Sequence, residues 1–514
     1  MKKLLFIYPT MITEAPMTLA MLSSVAKQEG WNTKACINTF KRPLTIEDFV
    51  FSAKKYGADL VGISMITFEV LFVYKLVKSL KDAGFKVIIG GSHPTDVPEE
   101  CIKYGADVVI VGEGEYVLRD ILKEWPDVKT GIRERKPYIK NLDDLSLPDL
   151  DIFDINDFGD KNGFIKGFHR IYTSRGCPSF CTFCDWQVFK QEWRVLSVKK
   201  IIEDIRRRSE KYDLNSFAIA DDCFTVDHKR VYEFCNEIVK ITPKIEWRAS
   251  SRANLVNAEL LKAMREANCF SIAFGLESGD AETLKKTAKS VTLEENIRGP
   301  WLAHEAGLEV YGCLMTGFPW ETTQSIQNQI DLIHKTWDAV SLFQVSGSLM
   351  PFPGTAIYKK YAKEYGFEKY WLNPKYQQYG IQVYQNALNP LKSSNFYQRY
   401  LFDDTYIKEE TFFKYSPEYK NKIKELVIEI GRHNLLFMFP NQKIKQKYFF
   451  QLSKASMLFS NIFPGLEKKI GGFIFDILSK NKRTSIENLR DNRRGIVKKR
   501  KPQKKEIDIK AKNV

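Results

Sequence analysis

The chain has 514 residues, 44% of them hydrophobic and 27% charged, a globular composition with core enough for two or three domains. No run of eighteen apolar residues occurs, so no spanning helix is expected; nine cysteines, six of them scattered singly, do not make a disulfide framework and fit a reducing cytoplasm. Of the net charge of +15, two-thirds lies between Lys480 and Val514, so charge makes no case for nucleic-acid binding by the whole protein.

Met1–Pro9 joins a basic pair to a short apolar run that Pro9 ends, too short for a signal peptide and readable as a first strand. From there to residue 135, strand and helix patterns alternate with short connections, as in a doubly wound parallel sheet. Strands are expected at Leu4–Tyr8, Thr33–Ile37, Leu60–Ser64, Lys86–Ile89 and Val108–Val111. Helices are expected near Leu19–Gln28, Ile46–Tyr56, Val70–Ala83 and Pro98–Tyr104. Ligands of such sheets bind beyond the carboxyl ends of the strands. There lie two glycine-rich loops, Gly90-Gly91-Ser92-His93-Pro94-Thr95 and Gly112-Glu113-Gly114-Glu115, whose glycines admit close approach of a bulky ligand. Residues 136–162 form an acidic linker without helix or strand period, its leucines and Phe153 pinning it to a surface groove.

Alternation resumes over 163–386, with about six strands: Arg170–Thr173, Ser216–Ala220, Ile245–Ala249, Ser271–Phe274, Glu309–Leu314 and Val340–Ser346. Ser197 is placed to cap a helix running to Glu210. Six strand–helix units make a partial TIM-type barrel with its site at the strand carboxyl ends. After the first strand comes Ser174-Arg-Gly-Cys177-Pro-Ser-Phe-Cys181-Thr-Phe183-Cys184, a C-x3-C-x2-C loop. Thiolates select iron–sulfur clusters, zinc or copper(I). Three ligands on a tight loop suit a [4Fe–4S] cluster with one iron left open, against a zinc knuckle or three buried thiols as the plainer reading. Later strand ends carry Ala220-Asp221-Asp222-Cys223, Trp247-Arg248-Ala249-Ser250-Ser251-Arg252, Gly275-Leu276-Glu277-Ser278-Gly279, Gly317-Phe318-Pro319-Trp320-Glu321-Thr322 and Pro351-Phe352-Pro353-Gly354-Thr355.

In their order, these motifs over residues 1–365 resemble the B12-binding-domain-containing radical S-adenosylmethionine (SAM) enzymes, a family of cobalamin-dependent methyltransferases and anaerobic cyclase-like enzymes. The resemblance implies an α/β fold: a cobalamin-binding sheet, a partial (β/α)6 barrel and a mainly helical C-terminal region. It implies a cluster on Cys177, Cys181 and Cys184 whose open iron chelates SAM, with cobalamin near Gly90, Gly91, His93, Gly112, Glu113 and Gly114. Phe183, Asp221, Asp222, Arg248 (or Arg252), Glu277, Ser278 and Gly317 fall among its SAM-contacting positions; it designates no catalytic side chain. Asp221 or Asp222 could equally be a helix cap, and either arginine a surface ion pair. The family's lower-face histidine motif, D-x-H-x-x-G, is absent, which leaves His93 either near the corrinoid or structural, and a vestigial domain open. Cys223 stands where the family often has asparagine, and Trp320 where it has glycine. The activity implied is methylation of an unactivated carbon through a 5′-deoxyadenosyl radical and methylcobalamin. Oxidative cyclisation or rearrangement is the alternative within the family; an RNA- or lipid-binding protein with a relict cluster domain is the alternative outside it. A ferredoxin or flavodoxin would supply electrons.

After Tyr365 the resemblance thins. Helical periods recur at Tyr419–Phe439 and Lys443–Leu478 within a helical region 387–479. The second, with the basic tail at 480–514, reads either as packing and a solvated tail or as peripheral contact with the inner membrane face. The substrate, whether small molecule, peptide or lipid, is not readable from this region.

Overall fold

The computed structural model describes residues 2–158 except 13 and 40, 169–374 except 191, and 412–438 except 414. The expected stretch 443–478 and the basic tail lie outside the described residues. The first sheet holds β1 (Lys3–Ile12), β2 (Asn32–Thr39), β3 (Leu60–Ser64), β4 (Lys86–Gly90), β5 (Val108–Ile110) and β6 (Gly131–Arg133). All pair in parallel in the order β2-β1-β3-β4-β5-β6. Its helices are α1 (Met17–Gln28), α2 (Ile46–Tyr56), α3 (Val70–Asp82), α4 (Ser92–Asp96), α5 (Pro98–Lys103) and α6 (Gly114–Glu124).

Leu4, Leu5, Phe6 and Ile7 are all buried because helices cover both faces of the sheet, the usual reason a parallel strand reads as a continuous apolar run. Leu4 and Phe6 pack with α1 and α6, Leu5 and Ile7 with α2 and α3. Local signals set the boundaries. Thr45 and Asp48 form a reciprocal capping box at the start of α2, and Gly57 at φ +65° ends it. Chain order reverses at β1, so the crevice expected of such sheets opens above β1 and β3. Within residues 136–158, Leu150, Ile152 and Phe153 are buried against this sheet.

The second sheet contains β7 (Arg170–Ile171), β10 (Ser216–Ile219), β11 (Glu246–Ser251), β12 (Cys269–Glu277), β13 (Glu309–Thr316) and β14 (Leu342–Ser348), parallel and in chain order. A small hairpin, β8 (Ser174–Arg175) with β9 (Arg194–Val195), brackets the cysteine loop. The flanking helices are α7 (Val198–Tyr212), α8 (His228–Ile238), α9 (Ala258–Glu266), α10 (Ala281–Lys286), α11 (Leu293–Glu305), α12 (Thr323–Lys335) and α13 (Ala356–Tyr361). Trp247, Phe274, Leu314 and Phe343 alternate onto the helix-facing core. The long α14 (Pro417–Met438) packs on α12 and β14. Asn434 there accepts from Phe343 N at 3.0 Å and donates to Phe343 O at 2.8 Å, giving the outer edge of β14 its hydrogen bonds.

The structure corrects three expectations. Arg170–Thr173 is not one strand: β7 stops at Ile171, because Thr173 turns to Asp221 and Ser174 joins the hairpin. The stretch Gly90–Thr95 is not all loop, since α4 begins at Ser92. The Gly112–Glu115 loop runs straight into α6, which the periodicity had not separated.

Candidate active site

Between the two sheets lies a cavity of about 1240 Å³, its open mouth included. One wall is the crevice of the first sheet: Ser64, Gly90, Gly91, Gly112, Glu113 and Gly114, over an apolar floor of Phe6, Leu22 and Ile110. The other wall is Ser174, Arg175 and Gly176 at the start of the cysteine loop, with Asp222. Gly91 has φ +118°, and a Cβ there would lie 2.5 Å from Met65 O, so only glycine lets the chain pass. Large apolar area with a few convergent polar groups is what a cofactor site needs, and the crevice wall of this cavity offers both. His93 is elsewhere. Its Nδ1 lies 3.2 Å from Thr67 Oγ1 and its ring packs edge-on against Trp371, fully buried in the layer behind the cavity. Burial lowers its pKa, holding it neutral.

Glu113 does more than line the cavity. Its carboxylate accepts from Arg175 at 2.7 Å and from Arg194 at 2.8 Å, and Arg175 also reaches Glu115 at 2.5 Å. All four side chains are buried to about a tenth exposed or less. This ionic clamp ties the glycine loop of the first sheet to the hairpin holding the cysteines. A second tie runs through Asp96 of α4, which accepts from Gly354 N at 2.9 Å and faces Asp185, the residue after Cys184. Burial pushes both acids up; Asp185 raises Asp96 further, whereas the hydrogen bonds from Gln187 N and Asp96 pull Asp185 back.

The cysteine loop is held by its backbone: Cys184 N donates to Cys181 O, Thr182 N to Thr287 O at 2.9 Å, and Ile357 N to Thr182 O. The three thiols act electrostatically on one another, and Cys184, though its side chain reaches solvent, is pushed up by crowding in the loop first, then by Asp222 and the other two thiols. Among the described residues, no three Cys, His, Asp or Glu side chains are drawn together as a single-ion site. Three thiols on one tight loop are a soft donor set that fits a three-cysteine cluster with an exchangeable fourth position.

Around the loop, Asp221 is fully committed. It accepts from Thr173 N at 2.6 Å, Thr173 Oγ1 at 2.5 Å and Ser174 N at 3.1 Å, fixing the turn into the hairpin rather than facing the cavity. Asp222 is exposed at the cavity wall and acts on Cys184. Arg248 is exposed on β11 in register with Ser271, near the amino ends of the strands. Arg252, just past β11, instead donates to Ser179 inside the loop, while its Nε and Nη2 are buried without partners. Glu277 ends β12 and pairs with Lys289, Nζ to Oε1 2.9 Å. Ser278 is buried, its Oγ accepting from Asp280 N. Gly317 N donates to Glu321 Oε2 at 2.7 Å and to Tyr419 OH at 3.3 Å. Phe183 packs edge-on to Phe318, on whose ring Trp320 stacks. Lys289, Arg194 and Arg175 carry much of this electrostatics, yet the motif reading omitted all three as site residues; the lysine's signal was its place ten residues beyond the Glu-Ser-Gly turn.

Comparison with known proteins adds the family dimension. The B12 binding domain model matches residues 13–122, and the Radical SAM superfamily model matches residues 171–333. An uncharacterized methyltransferase of Pyrococcus horikoshii is 30% identical over 372 residues, 68% of this chain and 78% of that protein. The anaerobic magnesium-protoporphyrin IX monomethyl ester cyclase of Cereibacter sphaeroides is 24% identical over 374 residues, 67% of this chain and 60% of the cyclase. Among solved structures, the cobalamin-dependent SAM radical enzyme OxsB, with aqua-cobalamin and SAM bound, superposes with a TM-score of 0.63 at 17% identity, covering 96% of this chain and 83% of that one. The methyltransferase TsrM of Kitasatospora setae, with a tryptophan substrate and a SAM analogue bound, gives 0.57 at 16% identity over 71% of this chain and 76% of TsrM. At these identities the two structures speak for the fold.

Proposed function

The chain belongs to the B12-binding-domain-containing radical SAM enzymes, and we propose that its reaction is transfer of a methyl group from SAM to an unactivated carbon. The observation that carries this reading is the shared cavity. Its walls come from the glycine crevice of the first sheet and from the residues leading into the cysteine loop, so that a corrinoid and a cluster-bound SAM face one substrate space. When bound, these cofactors supply the hydrogen abstraction and the methyl carrier. The chain supplies placement and exclusion of water. Gly90, Gly91, Gly112 and Gly114 admit the corrinoid; Cys177, Cys181 and Cys184 hold the cluster. Arg252, with two buried unpartnered nitrogens, and Asp222 are offered to SAM, with Phe183, within the loop, packed on Phe318.

Anaerobic reconstitution with iron, sulfide and hydroxocobalamin, followed by turnover with methyl-labelled SAM, tests the proposal. Retained corrinoid, release of 5′-deoxyadenosine and a labelled product are expected, with Cys184→Ala losing the deoxyadenosine. Deoxyadenosine without label in product would favour the second reading, oxidative cyclisation, which the similarity to the magnesium-protoporphyrin cyclases supports. The substrate is proposed to be a small molecule, peptide or lipid, and the reductant a ferredoxin or flavodoxin. Contact with a membrane face is supported only by the composition of residues 463–514. No helix among the described residues is long and apolar enough to cross a membrane.

A further inference from the structure

Beside the cysteine loop sits a buried ion pair that hydrogen abstraction and methyl transfer do not by themselves require. Lys289 Nζ lies 2.9 Å from Glu277 Oε1, and both side chains are nearly removed from solvent. The backbone bearing them is unusual. Glu277 has φ +57°, and Lys289 stands between Ala288 at +51° and Ser290 at +55°, three non-glycine residues in the left-handed region. Such conformations persist where the surroundings over-determine them, and they gather at functional positions. Burying an ion pair is costly where apolar side chains would pack as well, yet here it is built against the cluster ligands. Thr182 N is anchored on Thr287 O, two residues before Lys289. The Lys289 ammonium lies 6.0 Å from the centroid of Phe183, between Cys181 and Cys184 in sequence. It is the strongest charge acting on Cys181, ahead of Arg252, with Glu277 opposing more weakly.

We propose that the Lys289–Glu277 pair sets the reduction potential of the cluster on Cys177, Cys181 and Cys184. On reduction the cluster takes one electron from a low-potential one-electron donor and gains one negative charge; no bond or proton moves. Cluster potentials follow net charge and surroundings, and in a buried setting a nearby unit charge is weakly screened. The ammonium, which acts on Cys181 more strongly than the carboxylate does, favours the reduced form; the carboxylate holds the ammonium in place and trims its effect. The two residues therefore act with opposite sign.

The inference rests on the cluster assignment, and one experiment separates the two. The full chain is reconstituted anaerobically without SAM, and the midpoint potential is measured by electron paramagnetic resonance during a mediated titration. Lys289→Gln is expected to lower the potential, Glu277→Gln to raise it, and Lys289→Arg to leave it near wild type. No reducible cluster in the wild-type chain would sink the family reading of the loop itself. A wild-type cluster with both neutral variants at an unchanged potential, or shifted in the same direction, would overturn the role of the pair. Should Lys289→Gln fail to hold a cluster, Glu277→Gln alone decides: an unchanged potential there overturns the proposal.

Discussion

Arg175→Met tests the clamp between the two sheets. In the wild type Arg175 serves Glu113 and Glu115, while Arg194 serves Glu113 alone. Removing Arg175 leaves Glu113 one partner but strips Glu115, at 6% side-chain exposure, of its only ion pair among the described residues. Breaking a buried pair from one side costs about 3–5 kcal/mol, because the surviving charge is stranded. At a urea slope of roughly 2 kcal/mol per M, the unfolding midpoint of the first sheet should fall by about 1.5–2.5 M. Adding Glu115→Gln removes the stranded charge, so Arg175→Met/Glu115→Gln should recover most of that loss, whereas Glu115→Gln alone should be mild because Arg175 keeps Glu113. Urea titrations of the four proteins, followed by near-ultraviolet dichroism and by retention of corrinoid, give the comparison. A single variant as stable as wild type, or a double variant no better than the single, would refute the reasoning.

Two further perturbations address other parts of the site. Glu321 is fully buried, and burial lifts its carboxyl from the ordinary 4.5 to about 7 against the bonds from Tyr419 OH, Gly317 N and Phe318 N. A raised acid stabilises the fold below its unfolded value and loses that contribution as pH rises through its folded one. Stability of the barrel should therefore drop by about 2 kcal/mol from pH 5.5 to 8, and Glu321→Gln should flatten this slope in urea titrations; an unchanged slope would count against it. Gly91→Ala meets both a left-handed backbone and Met65 O, and should cost about 1–3 kcal/mol and weaken corrinoid binding. Gly84→Ala, at φ +88° with open space around it, should cost about 1–2 kcal/mol and leave binding intact. Equal corrinoid affinity in the two variants, read by absorbance titration, would remove the case for Gly91 as part of the cavity wall.

Much of the architecture could be read in advance because it is local. Apolar runs marked β1 to β5 and six strands of the second sheet, a 3.6-residue period marked α1, α2, α3, α5, α7 and α14, Ser197 announced its cap, and the cysteine spacing announced the loop. What escaped needed distant partners. Glu113 reads as a ligand-facing acid until Arg175 and Arg194, 62 and 81 residues away, arrive to pair with it. Asp221 could have been a helix cap; instead it accepts from Thr173, 48 residues earlier, in the turn that follows the neighbouring strand β7. Arg248 and Arg252 were equal candidates because nothing in Trp247–Arg252 says where β11 stops; it runs to Ser251, which leaves Arg248 within the strand and Arg252 just past its carboxyl end. His93 was ambiguous because Trp371, nearly 280 residues downstream, packs on its ring.

The amide of Asn434 has a consequence in time. β14 is the outermost strand of its sheet, and an open strand edge invites pairing with another chain. The side chain that occupies Phe343 N and O comes 91 residues later. At about 5–20 residues per second, synthesis leaves that edge uncovered for roughly 5–20 s after Phe343 is made. A ribosome that stalls in this interval, or a chain cut short within it, releases a nearly finished barrel with a bare edge, so self-association should be the mark of interrupted synthesis.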